Sequence, residues 1–294
     1  IDYRVFMTAW ENLQYKMLRS DSKIPMLIGI NVIVFLLVNI ASILETLVFR
    51  SHNIDFFSEK YLLLTANLHE LPLRFWTPVT YMFMHAGPLH ILFNMLMLYW
   101  FGQIFEDFLG KKRTLGLYFL GGLAGGALYI ICYNTLPFFT HENAAATSTL
   151  VGASASVMAV IVATATQLPN YTISIIFIGP VKLKWLVLFF LVLDFLGTAG
   201  PNAGGEIAHL GGALIGFFYI KQLQKGNDWI TRIAGMFKRS PKLKVVSKNS
   251  YGNSAGKPRQ EEIDLILDKI SQSGYDSLSK QEKEILFRAS SNEG

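Results

Sequence analysis

Three groups of polar residues stand within apolar stretches and could act together. Ser154 lies in Gly152-Ala153-Ser154-Ala155, at the head of an apolar run from Leu150 to Leu168. A serine hydroxyl at the edge of hydrocarbon is a candidate nucleophile if a base can reach it. His209, which heads another apolar run, is followed at three and seven residues by Gly212 and Gly216. Histidine and glycines therefore share one helical face, smooth enough for another helix to come close, and Gly152 and Ser154 offer the matching small surface. Two packed helices would then join a serine to a histidine. A serine that bonds only its own backbone, and a Gly-Ala-Ser used only for packing, are the simpler alternatives. The third group is His85, His90 and Asn94. His90 and Asn94, four apart, share a helical face, whereas His85 precedes Gly87-Pro88 and so the regular helix. An asparagine amide and an imidazole can donate to a developing oxyanion beside the Ser154 backbone N–H. A metal site, or a polar cluster that only ties helices together, would use the same residues.

These groups need a membrane bundle to position them. The chain is 51% hydrophobic and 16% charged, with mean hydropathy +0.35, a composition of multispan proteins. Six spans are predicted. The first runs from a cap at Asp21 or Ser22 to about Val48, the second covers 85–108, the third 115–133, and the fourth runs inward from Ser154 to Leu168. The fifth covers 185–196 and the sixth 207–220. Gly121, Gly122, Gly125 and Gly126 in the third span predict a close helix contact. The long connection 49–84 is rich in aromatics and is expected to dip into the membrane interface. Basic residues concentrate at the N-terminus, after spans two and four, and at the C-terminus, which places those segments in the cytoplasm. Arg50, Lys60 and Arg74 are the exceptions. Ser154, His209 and the His85-His90-Asn94 group all then lie at outer ends.

Four segments follow. Residues 1–22 are read as an interfacial amphipathic helix and 23–222 as the six-span domain. Residues 223–259 form a basic cytoplasmic linker, and 260–294 a small two-helix cytoplasmic tail. Between Lys221 and Arg259 ten basic residues face one acidic, Asp228. That concentration reads as positive-inside charge able to lie on anionic lipid, with no nucleic-acid partner. In the tail, Ile263, Ile266, Leu267 and Ile270 form a stripe that stops at Gly274, and Ser279 with Glu282 makes a capping box. A pair this small is expected to dock on a cytoplasmic partner. Cys132 is the single cysteine, so no disulfide or thiolate metal site is available within the chain.

His85, His90 and Asn94 in the second span, Gly152-Ala153-Ser154 opening the fourth, and Ala208-His209 with Gly212 and Gly216 in the sixth resemble the signature of rhomboid intramembrane serine proteases. The resemblance covers about residues 24 to 222. It implies an all-α polytopic membrane protein, a six-transmembrane-helix bundle that cleaves transmembrane protein substrates near the outer surface without metal or cofactor. It implies Ser154 as nucleophile, His209 as general base, and His90 and Asn94 with the Ser154 N–H as oxyanion partners. His85, Gly152 and Gly212 would support the site. Glu106 matches an acid at the base of the second span, and the tail is similar to one appended to rhomboids of some bacteria, which implies a bacterial inner membrane. In three places the chain departs from the pattern. Ala155 replaces the usual glycine and is expected to tighten the oxyanion pocket. Thr77 follows Trp76 where an arginine is common, and Met158 stands where an aromatic often supports the histidine.

Hydrolysis requires an outward-facing aqueous cavity, for which the glycine-rich stretch 197–205 is the expected cap. No acid is expected to orient His209, so the reading is a Ser-His dyad. A non-catalytic rhomboid-like scaffold that binds transmembrane helices is the rival. A transporter fits less well, because the polar residues cluster at one surface.

Overall fold

The computed structural model describes residues 22–175, 178–236 and 260–290. The interfacial helix expected over 1–22 lies, apart from Ser22, outside them, as does the linker from 237 to 259. The chain divides into two compact units, residues 1–239 and 240–294.

In the first unit, α1 (Ile24–Phe49) starts with Pro25 in its first turn. Ser22 Oγ accepts the Ile24 N–H, and Glu106 Oε1 accepts the Lys23 N–H at 2.9 Å. Leu37, Ile43, Leu44, Leu47 and Val48 are each more than half exposed on α1, a bare apolar face that suits lipid. Glu45 accepts the N–H groups of Asn53 and Ile54 and so caps α2 (Asn53–Tyr61). Beyond α2 the first connection holds the two-residue strand β1 (Leu64–Thr65) and short helical turns. Trp76 Nε1 donates to Tyr61 O, and Thr80 Oγ1 to Leu62 O. Two of the three basic residues outside the charge pattern are held locally: Arg74 pairs with Glu70 at 2.9 Å, and Lys60 lies over Phe56 and Tyr61.

Next come α3 (Pro88–Leu109) and α4 (Lys111–Thr135). The strand β2 (Thr149–Leu150) pairs antiparallel with β1 and leads into α5 (Ser154–Gln167). A hairpin of β3 (Thr172–Ile175) and β4 (Gly179–Lys182), in the connection between the fourth and fifth predicted spans, precedes α6 (Leu183–Gly197). The bundle closes with α7 (Ala203–Gln224).

Among the described residues, α1, α3, α4 and α7 are long and apolar enough to cross a membrane. The fourth and fifth predicted spans are the shorter α5 and α6, of 14 and 15 residues. At 1.5 Å per residue α5 is about 21 Å long, less than the roughly 30 Å of hydrocarbon in a bilayer. It can stop short because Ala155 through Ala165 are all buried within protein, packed by α3, α4, α6 and α7.

The glycines act on this central helix. A Cβ on Gly212 or Gly216 would overlap Ala155 O or Ala159 O, and one on Gly125 would meet Ala208 O at 2.6 Å. The predicted close face is therefore present, but its counterpart is Ala155 and Ala159. Gly152 and Ser154, the expected counterpart, lie beyond the seam.

At the other end of the bundle, part of the predicted linker is the helix α8 (Trp229–Met236). Ile230 is buried against Gly116 of α4. Asp228 anchors this turn: Arg113 Nε and Nη2 donate to its Oδ2, each at 2.8 Å. The Tyr219 hydroxyl donates to Oδ1 at 3.1 Å and the Thr231 N–H at 3.2 Å. The second unit is a hairpin of α9 (Gln260–Ser273) and α10 (Lys280–Ser290), with Gly274 at φ +80° between them. Its capping box is formed, Ser279 N–H to Glu282 Oε2 at 2.7 Å and Glu282 N–H to Ser279 Oγ at 3.2 Å.

Burial opposes the charge on Asp228, but the bonds from Thr231 and Arg113 prevail and hold its carboxyl below the ordinary value. A depressed folded-state value means that the stabilisation is complete above the unfolded value near about 3.9 and is lost as pH falls through the folded one. Asp228→Asn should therefore lower the melting temperature at pH 7, and the gap to wild type should close below about pH 4. A gap that did not change with pH would show that the clamp is not ionic.

Candidate functional site

Helices α3, α5 and α7 alternate with α4 and α6, so their N-terminal ends meet at one mouth of the bundle. The C-terminal end of α6 comes to the same mouth. A cavity of about 460 Å³ opens there, with Ser154, His209, His90 and Asn94 in its wall, together with Met158 and Asn202. Residues from three helices, separated by up to 119 positions, thus share one space. His85, Gly152 and Gly212 do not line this cavity.

The segment before α5 fixes the serine. β2 is held by β1, the Gly152 N–H donates to Tyr81 O at 3.0 Å, and the Tyr81 hydroxyl donates to Gly122 O at 2.6 Å. Gly152 adopts φ +125°, which disfavours any side chain, and a Cβ there would lie 2.9 Å from His90 Nε2. Ser154 is the first residue of α5, so its N–H has no acceptor within the helix and faces the mouth end.

His90 and Asn94 are placed by the start of α3. The Ala86 N–H donates to His90 Nδ1 at 3.3 Å. An accepting Nδ1 carries no proton, so His90 is the Nε2–H tautomer, a donor on the side toward Gly152. Asn94 spends one amide hydrogen on His90 O at 2.9 Å and keeps the other. His85 precedes α3 as predicted. It is buried without a hydrogen-bond partner for either ring nitrogen and sets its ring at 68° to His90, centroids 5.2 Å apart.

Two expectations change. Ala155 faces Gly125 and Gly212 in the helix seam, so it fills a packing contact and does not tighten the pocket. The second change concerns His209. Its Nδ1 lies 3.0 Å from Asp194 Oδ1 and 3.5 Å from Glu206 Oε2, which overturns the reading that no acid is positioned to orient it. The signal was legible: Asp194 interrupts the apolar run Trp185 to Leu196, and an ionisable residue within a span carries a functional presumption. Glu206, three residues before His209 on the same helix, accepts from Asn202 Nδ2 at 3.2 Å. The three donor groups of Asp194, Glu206 and His209 lie within 4.8 Å of one another. With Nδ1 engaged by carboxylates, Nε2 is the nitrogen left for the cavity.

Residues 72–225 match the family model described as rhomboid domain, and 251–292 match a family of unknown function, DUF6576. Among curated proteins, presenilin-associated rhomboid-like protein A, mitochondrial, of Danio rerio is 31% identical over 169 residues, 55% of this chain and 39% of that protein. RHOMBOID-like protein 12, mitochondrial, of Arabidopsis thaliana is 29% identical over 160 residues, 52% of this chain and 48% of that protein. The human presenilin-associated rhomboid-like protein, mitochondrial, is 27% identical over 145 residues, 47% and 35%. The chain thus spans less than half the length of these relatives. They support a multi-pass membrane protein, and their mitochondrial names do not fit the expected bacterial inner membrane.

Gly152→Ala should cost about 1–3 kcal/mol through backbone strain, plus the displacement of His90. Measured by melting temperature, part of that loss should return in a His90→Ala background, where the clash is gone and the strain remains. Full additivity of the two substitutions would show that Gly152 and His90 do not touch.

Proposed function

Because this chain belongs to the rhomboid family, we propose that it is an intramembrane serine endopeptidase that cleaves transmembrane segments of membrane proteins at the mouth of its bundle. The observation that carries this reading is the single cavity shared by Ser154, His209, His90 and Asn94. Ser154 Oγ attacks the scissile carbonyl, and His209 Nε2 takes its proton and later returns it to the leaving amine. The oxyanion that forms meets the Ser154 N–H, the His90 Nε2–H and the free Asn94 amide hydrogen. Three helix N-termini at the mouth add positive partial charge where negative charge develops.

A transmembrane helix hides its carbonyls in backbone bonds, so the substrate is a segment that unwinds on entering the cavity. Water reaches Ser154 because α5 ends short of the bilayer's thickness. In the proposed orientation the mouth faces outward, and the N- and C-termini lie in the cytoplasm, where positive-inside charge concentrates. The bare Leu265 and Phe287 of the tail hairpin would meet a cytoplasmic partner there.

Ser154→Ala and His209→Ala should each abolish cleavage of a reporter transmembrane substrate while the protein stays folded. Turnover that survives in folded Ser154→Ala would remove Ser154 as the nucleophile, whereas a folded wild type that binds the substrate and does not cleave it would favour the scaffold reading. Asn94→Ala should lower turnover about 10²-fold or more, with substrate binding little changed and the melting temperature close to wild type. A purely structural amide predicts the reverse: a lower melting temperature, with activity falling only in proportion to the folded fraction.

A further inference from the structure

We propose that Asp194 is the positioning acid of His209, so that the site works as a Ser154-His209-Asp194 triad; this rests on the protease reading above.

The argument begins with where each carboxylate sits on its helix. Glu206 lies in the first turn of α7, where the helix dipole favours an acid and Asn202 adds a hydrogen bond. Its presence needs no catalytic reason. Asp194 lies in the last turn of α6, which ends at Gly197. There the dipole disfavours an acid, and the surrounding sequence, Leu191-Val192-Leu193 before it and Phe195-Leu196 after it, is apolar. Asp194 is nevertheless 7% exposed, and its Oδ2 has no hydrogen-bond partner. Nothing on its own helix accounts for an aspartate here. The account lies across the interface: Asp194 Oδ1 takes His209 Nδ1 at 3.0 Å, half an ångström closer than Glu206 Oε2.

That contact does what a triad acid does. It fixes the Nδ1–H tautomer, turns Nε2 toward the cavity, and places a negative charge where the imidazolium forms. Met158, on the nucleophile's helix, lines the same cavity and supplies no charge to face an imidazolium, so that task falls to the carboxylate on α6. Along α6 only Leu183, Val187 and Asp194 are buried, so this bond also ties the outer half of the helix to the bundle.

The test uses the full-length protein in detergent, with cleavage of a reporter transmembrane substrate, fluorophosphonate labelling of Ser154 and melting temperature read on each variant. Asp194→Asn should lower kcat and the labelling rate together by about 10²-fold or more, with KM within about threefold and melting near wild type. Asp194→Glu should recover part of the labelling rate, and Glu206→Gln should lose less than about tenfold. The wild-type protein supplies a reading that needs no folded Asp194 variant: a far-downfield Nδ1–H proton resonance that disappears in His209→Ala. Its absence from folded wild type overturns the proposal. So does an Asp194→Asn enzyme within about threefold of wild type, a larger loss from Glu206→Gln than from Asp194→Asn, or loss of wild-type activity on chelation, which would make the carboxylates metal ligands. If Ser154→Ala is dead while Asp194→Asn is normal, only the triad fails. If folded Ser154→Ala still cleaves, the reading of Ser154 as nucleophile fails and the triad with it.

Discussion

The approach of α5 to α4 and α7 at backbone distance is the contact on which the rest depends. Hydrocarbon gives two apolar helices little reason to associate, so packing has to supply it through surfaces smooth enough for backbones to meet. Gly125, Gly212 and Gly216 provide those surfaces, and Ala155 and Ala159 fill them. Enclosure on all sides frees α5 from spanning the bilayer. Its first residue, Ser154, is thereby left at the floor of a cavity and not at a lipid surface.

A cavity at that depth changes the electrostatics of what lines it. Polar groups within a membrane protein persist where they have partners or water, and the mouth provides partners. His90 is tied to Ala86, Asn94 to the backbone of its own helix, and His209 to two carboxylates. Each bond uses one donor or acceptor and leaves another facing the cavity. The hydrogen bonds that make these side chains tolerable in the bundle also fix their orientation.

The opposite end is held by charge. Asp228 gathers Arg113, Tyr219 and Thr231 at the turn into α8, while Glu106 holds the start of α1 through the Lys23 N–H. These contacts close the ends of α1, α4, α7 and α8 away from the mouth. The constraint there is fixed geometry, whereas the proposed reaction needs a mouth that can admit a substrate.

Much was legible in the sequence because spans announce themselves. Apolar length located the helices, the glycine spacing marked the seam on α4 and α7, and Pro88 separated His85 from the helix that carries His90 and Asn94. The Ser279 and Glu282 box is written in four residues and forms as read. What the sequence could not decide were pairings between distant segments. That Ala155 packs into the seam, that β1 meets β2 to steady the serine, and that Asp228 turns the linker into an anchored helix all depend on which faces oppose each other. Asp194 is the sharpest case. Its anomaly inside an apolar run was visible in one dimension, but its partner is 15 residues away across a loop, and only the antiparallel packing of α6 on α7 brings the carboxylate to the imidazole.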